Sequence, residues 1–211
     1  MLSSILSLLQ SLFYPHYCPG CGTEVRGKGV LCDSCRRGIW HPRALQPLSL
    51  DCLHLDGLFF LMDYAGGIQK ALQMAKFQGR EDLLPRLAEE WKQGTLREKK
   101  FHWQLGPEVR LAAAGIPTDP GRRKKRGYDL PEEIFQPWCR QEGYRWETLL
   151  VRNRPTRPQY GLAPEERKKN IKGCFTLTRQ ENLPDIVLLC EQRCLRLIQI
   201  SKCMHSRKNR I

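Results

Sequence analysis

The chain has 211 residues, 41% of them hydrophobic, and a formal net charge of +13. That length holds one medium domain and a small appendage, which excludes a large multidomain enzyme, and the apolar share suffices for one core and leaves a polar remainder. The charge favours polyanionic partners such as nucleic acid, phosphorylated small molecules or an acidic membrane surface, although charge alone is also what a merely solvated basic surface carries.

Residues 2–13 are apolar with helical spacing at Leu2, Ile5, Leu8, Leu9 and Leu12. The run predicts a short amphipathic helix packed on the cysteine-rich segment beyond it. It is too short to span a bilayer, lacks a basic leader and a cleavage site, and has no Lys or Arg for a membrane-surface anchor. A cytoplasmic location is therefore expected, and it suits a chain with ten cysteines.

Next come two Cys-x-x-Cys pairs, Cys18/Cys21 and Cys32/Cys35, separated by ten residues. Each tight turn puts two sulfurs on one side of the backbone, and two such turns complete a shell of four thiolates, the preferred environment of structural zinc. Gly20 and Gly22 suit turns in which backbone N–H groups bend toward sulfur. The polar, Gly-rich stretch between the pairs is expected to form a small ribbon hairpin. Four ligands from one segment leave no position for a substrate water, so the site should be structural. The alternatives are two disulfides, which need an oxidising compartment, or four unrelated thiols. Of the other six cysteines (Cys52, Cys139, Cys174, Cys190, Cys194, Cys203), only Cys190/Cys194 are close in sequence, and buried unbridged thiols are the expected state.

A Pro-marked connection to about residue 50 reads as a linker. Beyond it, 57–64 reads as a buried strand, 65–77 as a helix and 82–93 as a second helix with Pro85 in its first turn. Residues 94–107 are polar. A buried strand is expected at 109–117, then a turn over 119–129 packed with Arg122, Arg123, Lys124, Lys125 and Arg126. Further elements are a helix over 131–141, a strand within 147–154, a loop entering a helix at Pro164, and strands at 174–178 and 185–190. Alternating strands and helices predict an α/β sheet covered by helices.

The basic turn is the candidate contact for a polyanion, with Lys76, Arg80, Arg154, Arg157, Lys168 and Lys169 as extensions. Tyr128, Tyr160 and Trp103 are candidates to stack on bases. The plain alternative for such a charge run is a solvated turn.

The four-cysteine N-terminus, AGGIQKALQMAKFQGR, IPTDPGRRKKRGYD, RPTRPQYGLAPEERKKNIKGCF and DIVLLC occur in the order seen in ComF family proteins, which this chain resembles over roughly residues 10–189. The resemblance rests on Lys76, Phe77 and Gly79, on Arg126, Gly127 and Tyr128, and on Pro158, Gln159, Gly161, Leu162, Glu166, Arg167, Asn170, Gly173 and Phe175. It implies a zinc ribbon within residues 1–50, a phosphoribosyltransferase-like, mainly parallel α/β domain over 51–189, and a bacterial cytoplasmic protein. It further implies a role in natural competence and the import of single-stranded DNA, with a competence helicase or other DNA-processing proteins as partners.

The chain departs from that pattern after Leu189. In phosphoribosyltransferases the equivalent strand leads into two consecutive carboxylates, which bind ribose hydroxyls, and then a Thr/Gly loop that holds the 5′-phosphate through backbone N–H groups. Here only Glu191 offers a carboxylate, and no glycine or threonine comes after Thr178. Asp129 and Leu130 also stand where the family carries asparagine and glutamine, and Thr118 and Asp119 where it has an apolar–proline pattern. The expected domain is thus C-terminally incomplete, with 190–211 a divergent basic tail without strand signals. A shift of reading frame accounts for the abrupt stop better than a natural extension does. The functional expectation is binding of single-stranded nucleic acid or phosphorylated ligands without transferase activity and without magnesium. The rivals are a phosphoribosyltransferase using phosphoribosyl pyrophosphate and magnesium, and a non-functional remnant.

Overall fold

In this computed structural model the described residues are 15–45, 56–98, 108–159 and 161–191, together with the backbone of 196–201. The expected helix over 2–13, and Tyr160, Trp103, Cys52, Cys194 and Cys203, lie outside them.

Among the described residues there are eight strands and six α-helices. Helix α1 (Asp33–Arg37) begins inside the second cysteine pair, and strands β1 (Arg43–Leu45) and β2 (Gly57–Phe60) come next. Helix α2 (Gly66–Phe77) buries Ile68, Ala71, Leu72 and Ala75, one stripe at i, i+3, i+4 and i+7. A 3-10 turn (Glu81–Leu83) leads into α3 (Leu84–Arg97), whose Pro85 sits in the first turn, where its missing N–H costs nothing. Strand β3 (Leu111–Gly115) precedes α4 (Pro120–Arg126) and α5 (Leu130–Glu142). Then come β4 (Arg145–Trp146), β5 (Leu150–Arg152), α6 (Pro164–Ile171), β6 (Phe175–Leu177), β7 (Ile186–Glu191) and β8 (Arg196–Ser201).

The main sheet has the order β1-β2-β8-β7-β3-β4. Strands β7, β3 and β4 are parallel, with Leu111 opposite Ile186 and Ala112 opposite Arg145. The pairings β1–β2, β2–β8 and β7–β8 are antiparallel. The sheet is mixed, which corrects the mainly parallel expectation. Strands β5 and β6 form a separate antiparallel pair, so the 147–154 and 174–178 strands belong to an arm and not to the sheet.

Three further expectations change. Residues 43–45, read as linker, form an edge strand, because Ala44 and its neighbours pair with Phe60 through Leu58. The basic turn is a helix, since Asp119 caps it and Pro120 takes its first position. The tail does contain a strand: Arg196 through Ser201 fills the gap between β2 and β7, pairing Glu191 with Arg196. Leu197, Ile198 and Ile200 carry the strand propensity that this pairing uses.

The packing centre lies between α3 and α5. Trp91 meets the rings of Phe135 and Trp138 edge-on, with centroids 4.7 and 5.7 Å apart, a favoured aromatic geometry. The same buried cluster takes in Leu72, Leu87 and Leu188 of the body and Val25, Val30, Leu31 and Ile39 around the cysteine pairs.

Candidate metal centre and basic helix

The Sγ atoms of Cys18, Cys21, Cys32 and Cys35 all lie within 4.8 Å of one another, and those of Cys21 and Cys32 are 3.5 Å apart. A tetrahedron with Zn–S bonds of about 2.3 Å has S···S edges of about 3.8 Å, so the four thiols fit a zinc ion with small adjustments. The first pair sits on a tight turn held by Cys18 N–H to Thr23 O (2.8 Å) and Gly22 N–H to Cys18 O (2.8 Å). Gly22 adopts φ +77°, a conformation that L side chains resist. At Gly20 a Cβ would come within 2.9 Å of Cys35 Sγ. The second pair rides on α1, with Cys32 at its N-cap. The expected hairpin between the pairs does not form: residues 25–31 contain no strand, and the one bridge here, Tyr17 to Glu24, encloses the first pair.

Hydrogen bonds from Thr23 and its neighbouring sulfurs hold the exposed Cys21 thiol down to about 6, while burial pushes Cys35 up to about 12. A thiolate-ready ligand beside a reluctant one is what four crowded sulfurs produce before a cation neutralises them.

The cysteine unit is fastened to the body by one buried carboxylate. Glu90 of α3, 1% exposed, accepts from the N–H groups of Val30 (3.0 Å) and Leu31 (3.3 Å), and from Arg36 Nη2 (3.1 Å) and Nε. Arg86 donates to the carbonyls of Gly27 and Gly29, both at 3.1 Å. Sequence reasoning missed both residues. The available signal was a glutamate three residues beyond Leu87 and one before Trp91, on the apolar stripe of α3.

The five-cation run forms α4, directly beyond the C-terminal end of β3, where sheets of this class present their ligand sites. Arg122, Arg123, Lys124 and Lys125 are exposed and Arg126 is half-buried. The helix is pinned at both ends. At its start Asp119 accepts from the N–H groups of Gly121 (3.1 Å), Arg122 (3.3 Å) and Thr156 (3.3 Å), the last reaching in from the β5–β6 arm. Burial would raise the Asp119 carboxyl, but the N–H groups of Thr156 and Arg122, with the charges of Arg122 and Arg152, together hold it below its ordinary value. At its end Gly127 turns the chain with φ +85°, and Tyr128 donates its hydroxyl to Ala75 O of α2 at 2.5 Å. Arg126 lies over the Tyr128 ring, 5.6 Å from its centroid.

The hydroxyl bond to Ala75 O places Tyr128 against the last turn of α2, the turn that carries Lys76. Tyr128 is half-buried and tied by its hydroxyl, so its ring is packing and not an open face. Arg80 is bound in two bonds of 2.7 Å to Asp82. Arg154 donates to the carbonyls of Asn170 and Lys172, closing the end of α6, and Lys168 pairs with Glu165. Arg123 lies 3.6 Å from Glu132, a loose exposed pair that a stronger anion could displace. Between α4, β4 and β5 a pocket of about 200 Å³ is lined by Thr118, Arg123, Glu132, Trp146 and Arg152 among others. Thr118 is fixed there by Asp129, which accepts from its hydroxyl (2.7 Å) and its N–H (3.3 Å).

At the end of β7, Cys190 is fully buried and burial drives its thiol pKa well up, with Cys139 beside it as a second contributor. Cys139, Cys174 and Cys190 are buried and unbridged, as expected. Among the described residues, no helix is long and apolar enough to cross a membrane.

The molecule thus belongs to the mixed α/β proteins with a four-cysteine cluster able to hold a metal ion. It is similar to the DNA utilization protein YhgH of Salmonella typhimurium and of Salmonella typhi. Each is 25% identical over 168 residues that span 76% of this chain and 70% of the relative. The Escherichia coli O6:H1 protein of the same name is 24% identical over 161 residues, 76% of this chain and 64% of that one. No protein-family profile and no solved structure matches the chain.

Proposed function

We propose that this protein handles single-stranded nucleic acid, with the phosphates of the strand running along α4 and the four cysteines holding a structural zinc. One observation carries the reading: four consecutive exposed cations stand on a short helix at the C-terminal end of a central strand, braced by Asp119 at one end and Tyr128 at the other. A helix fixed in this way presents its charges without paying to order a loop, and neutralising phosphates releases counterions from the strand. The names of the similar Salmonella and E. coli proteins support DNA as the polymer. The family resemblance adds DNA uptake in competence, a bacterial cytoplasm, and a helicase or DNA-processing partner.

Transferase activity is not part of the reading. Glu191 is the sole carboxylate where β7 ends, and β7 returns as β8 after four residues, a connection without room for the loop and helix start that a 5′-phosphate needs. Phosphoribosyl pyrophosphate with magnesium should give no thermal shift; a shift, or transfer activity, would favour the enzyme instead.

The test replaces Arg122 through Arg126 by alanine in the full chain and titrates a labelled single strand at fixed salt. Affinity should fall by at least tenfold, since several phosphate contacts are removed together. Unchanged affinity would refute the proposal.

A further inference from the structure

Phe77 is 76% exposed, the largest exposure of any big apolar side chain among the described residues. It ends α2, directly after Lys76, and Gly79 (φ +67°) turns the chain away beyond it. The carbonyl two residues earlier, Ala75 O, is the one that accepts from Tyr128. Arg126 in turn covers the Tyr128 ring. The exposed ring and the end of the basic helix are thus joined through one tyrosine.

We propose that Phe77 is a stacking platform for an unpaired nucleobase of a strand whose phosphates lie on α4. This rests on the reading of α4 given above and names the part of the ligand that the cations do not touch. An aromatic face left in water, on the helix end that the Tyr128 hydroxyl ties to the basic helix, matches a ligand that is both anionic and aromatic. A single strand offers both at each nucleotide, whereas a duplex hides its base faces. The half-buried, hydroxyl-bound Tyr128 supports the platform and does not form it. An acidic peptide would satisfy the cations but would leave the ring without a flat partner.

The experiment measures binding of the full chain to an oligothymidylate of about sixteen nucleotides, to a base-free oligomer of equal length, and to a duplex. Phe77→Ala should weaken oligothymidylate binding by about tenfold and leave the other two unchanged. Phe77→Trp should restore affinity, with emission from the new indole quenched by the oligothymidylate. Wild-type affinity in Phe77→Ala overturns the proposal, and so does an equal loss on the base-free oligomer. If the five-alanine variant loses affinity while Phe77→Ala does not, the stacking inference falls and the reading of α4 stands. If neither variant changes, or the wild type binds no single strand, both fall.

Discussion

The cysteine unit and the basic helix both depend on charged residues, and they use them in opposite ways. Around the cysteines the charges face inward. Glu90 is buried and receives four donors, and the Arg36 side chain is 12% exposed against it. Along α4 the charges face outward, and only the ends of the element are held. Buried, mutually satisfied charges specify how two parts dock, whereas exposed like charges add little to folding and remain available to a partner. The first arrangement is a fastening, and the second suits the recognition surface proposed above.

The sharpest way to break this contrast is to remove the zinc proposed for the four cysteines. Cys32→Ala, or exhaustive chelation, should eliminate one bound zinc per chain and lower the unfolding midpoint by on the order of 10 °C or more. Metal analysis and calorimetry check it, and a preparation that never contained zinc yet melts cooperatively at the same temperature would contradict the metal assignment. Next in size is the fastening itself. Glu90→Ala takes the acceptor from two backbone N–H groups and from Arg36 Nε, while Arg36 keeps its pair with Asp33 (2.7 Å), and denaturant unfolding should show a loss of about 3 kcal/mol. A change below about 1 kcal/mol would mean that the cysteine unit docks by apolar contact alone.

Asp119 lies between the two regimes. Asp119→Ala removes the cap of α4 and its tether to the arm, with an expected cost of about 1 kcal/mol. Because the native carboxyl is held below its unfolded value, its contribution is complete above the ordinary carboxylate range, near about 4, and is lost as pH falls through the native value. Asp119→Asn should therefore flatten the acid side of the stability profile and leave the neutral side parallel to wild type. An identical acid slope would show that the carboxyl does not support the helix. The smallest effect on stability belongs to α4: single replacements of Arg122 to Lys125 should each stay within about 0.5 kcal/mol.

Much of this was legible in the chain. The spacing of Cys18, Cys21, Cys32 and Cys35 announced a common site because ligand spacing is local information. The stripe of α2 and the run into β3 were legible for the same reason. What escaped was set by distant pairing. Residues 43–45 are a strand only because β2 lies beside them, and 196–201 only because β2 and β7 leave a place between them. Asp-Pro-Gly at 119–121 reads equally as a turn or as a capped helix start, and the residues after it decide between them. The role of Glu90 is set by Val30 and Leu31, about sixty residues away, from whose N–H groups it accepts hydrogen bonds. Phe77 was read only as part of a motif, because exposure is a property of the folded surface.

The central claim, that α4 is a recognition surface and not a structural one, is tested most directly by salt titration of single-strand binding. Wild type and a variant with Arg122 through Lys125 replaced by alanine should share one unfolding midpoint, while the slope of log affinity against log salt drops by as much as about 2.8, about 0.7 per lost phosphate contact. Equal slopes for the two proteins, or a variant that no longer folds, would contradict the account.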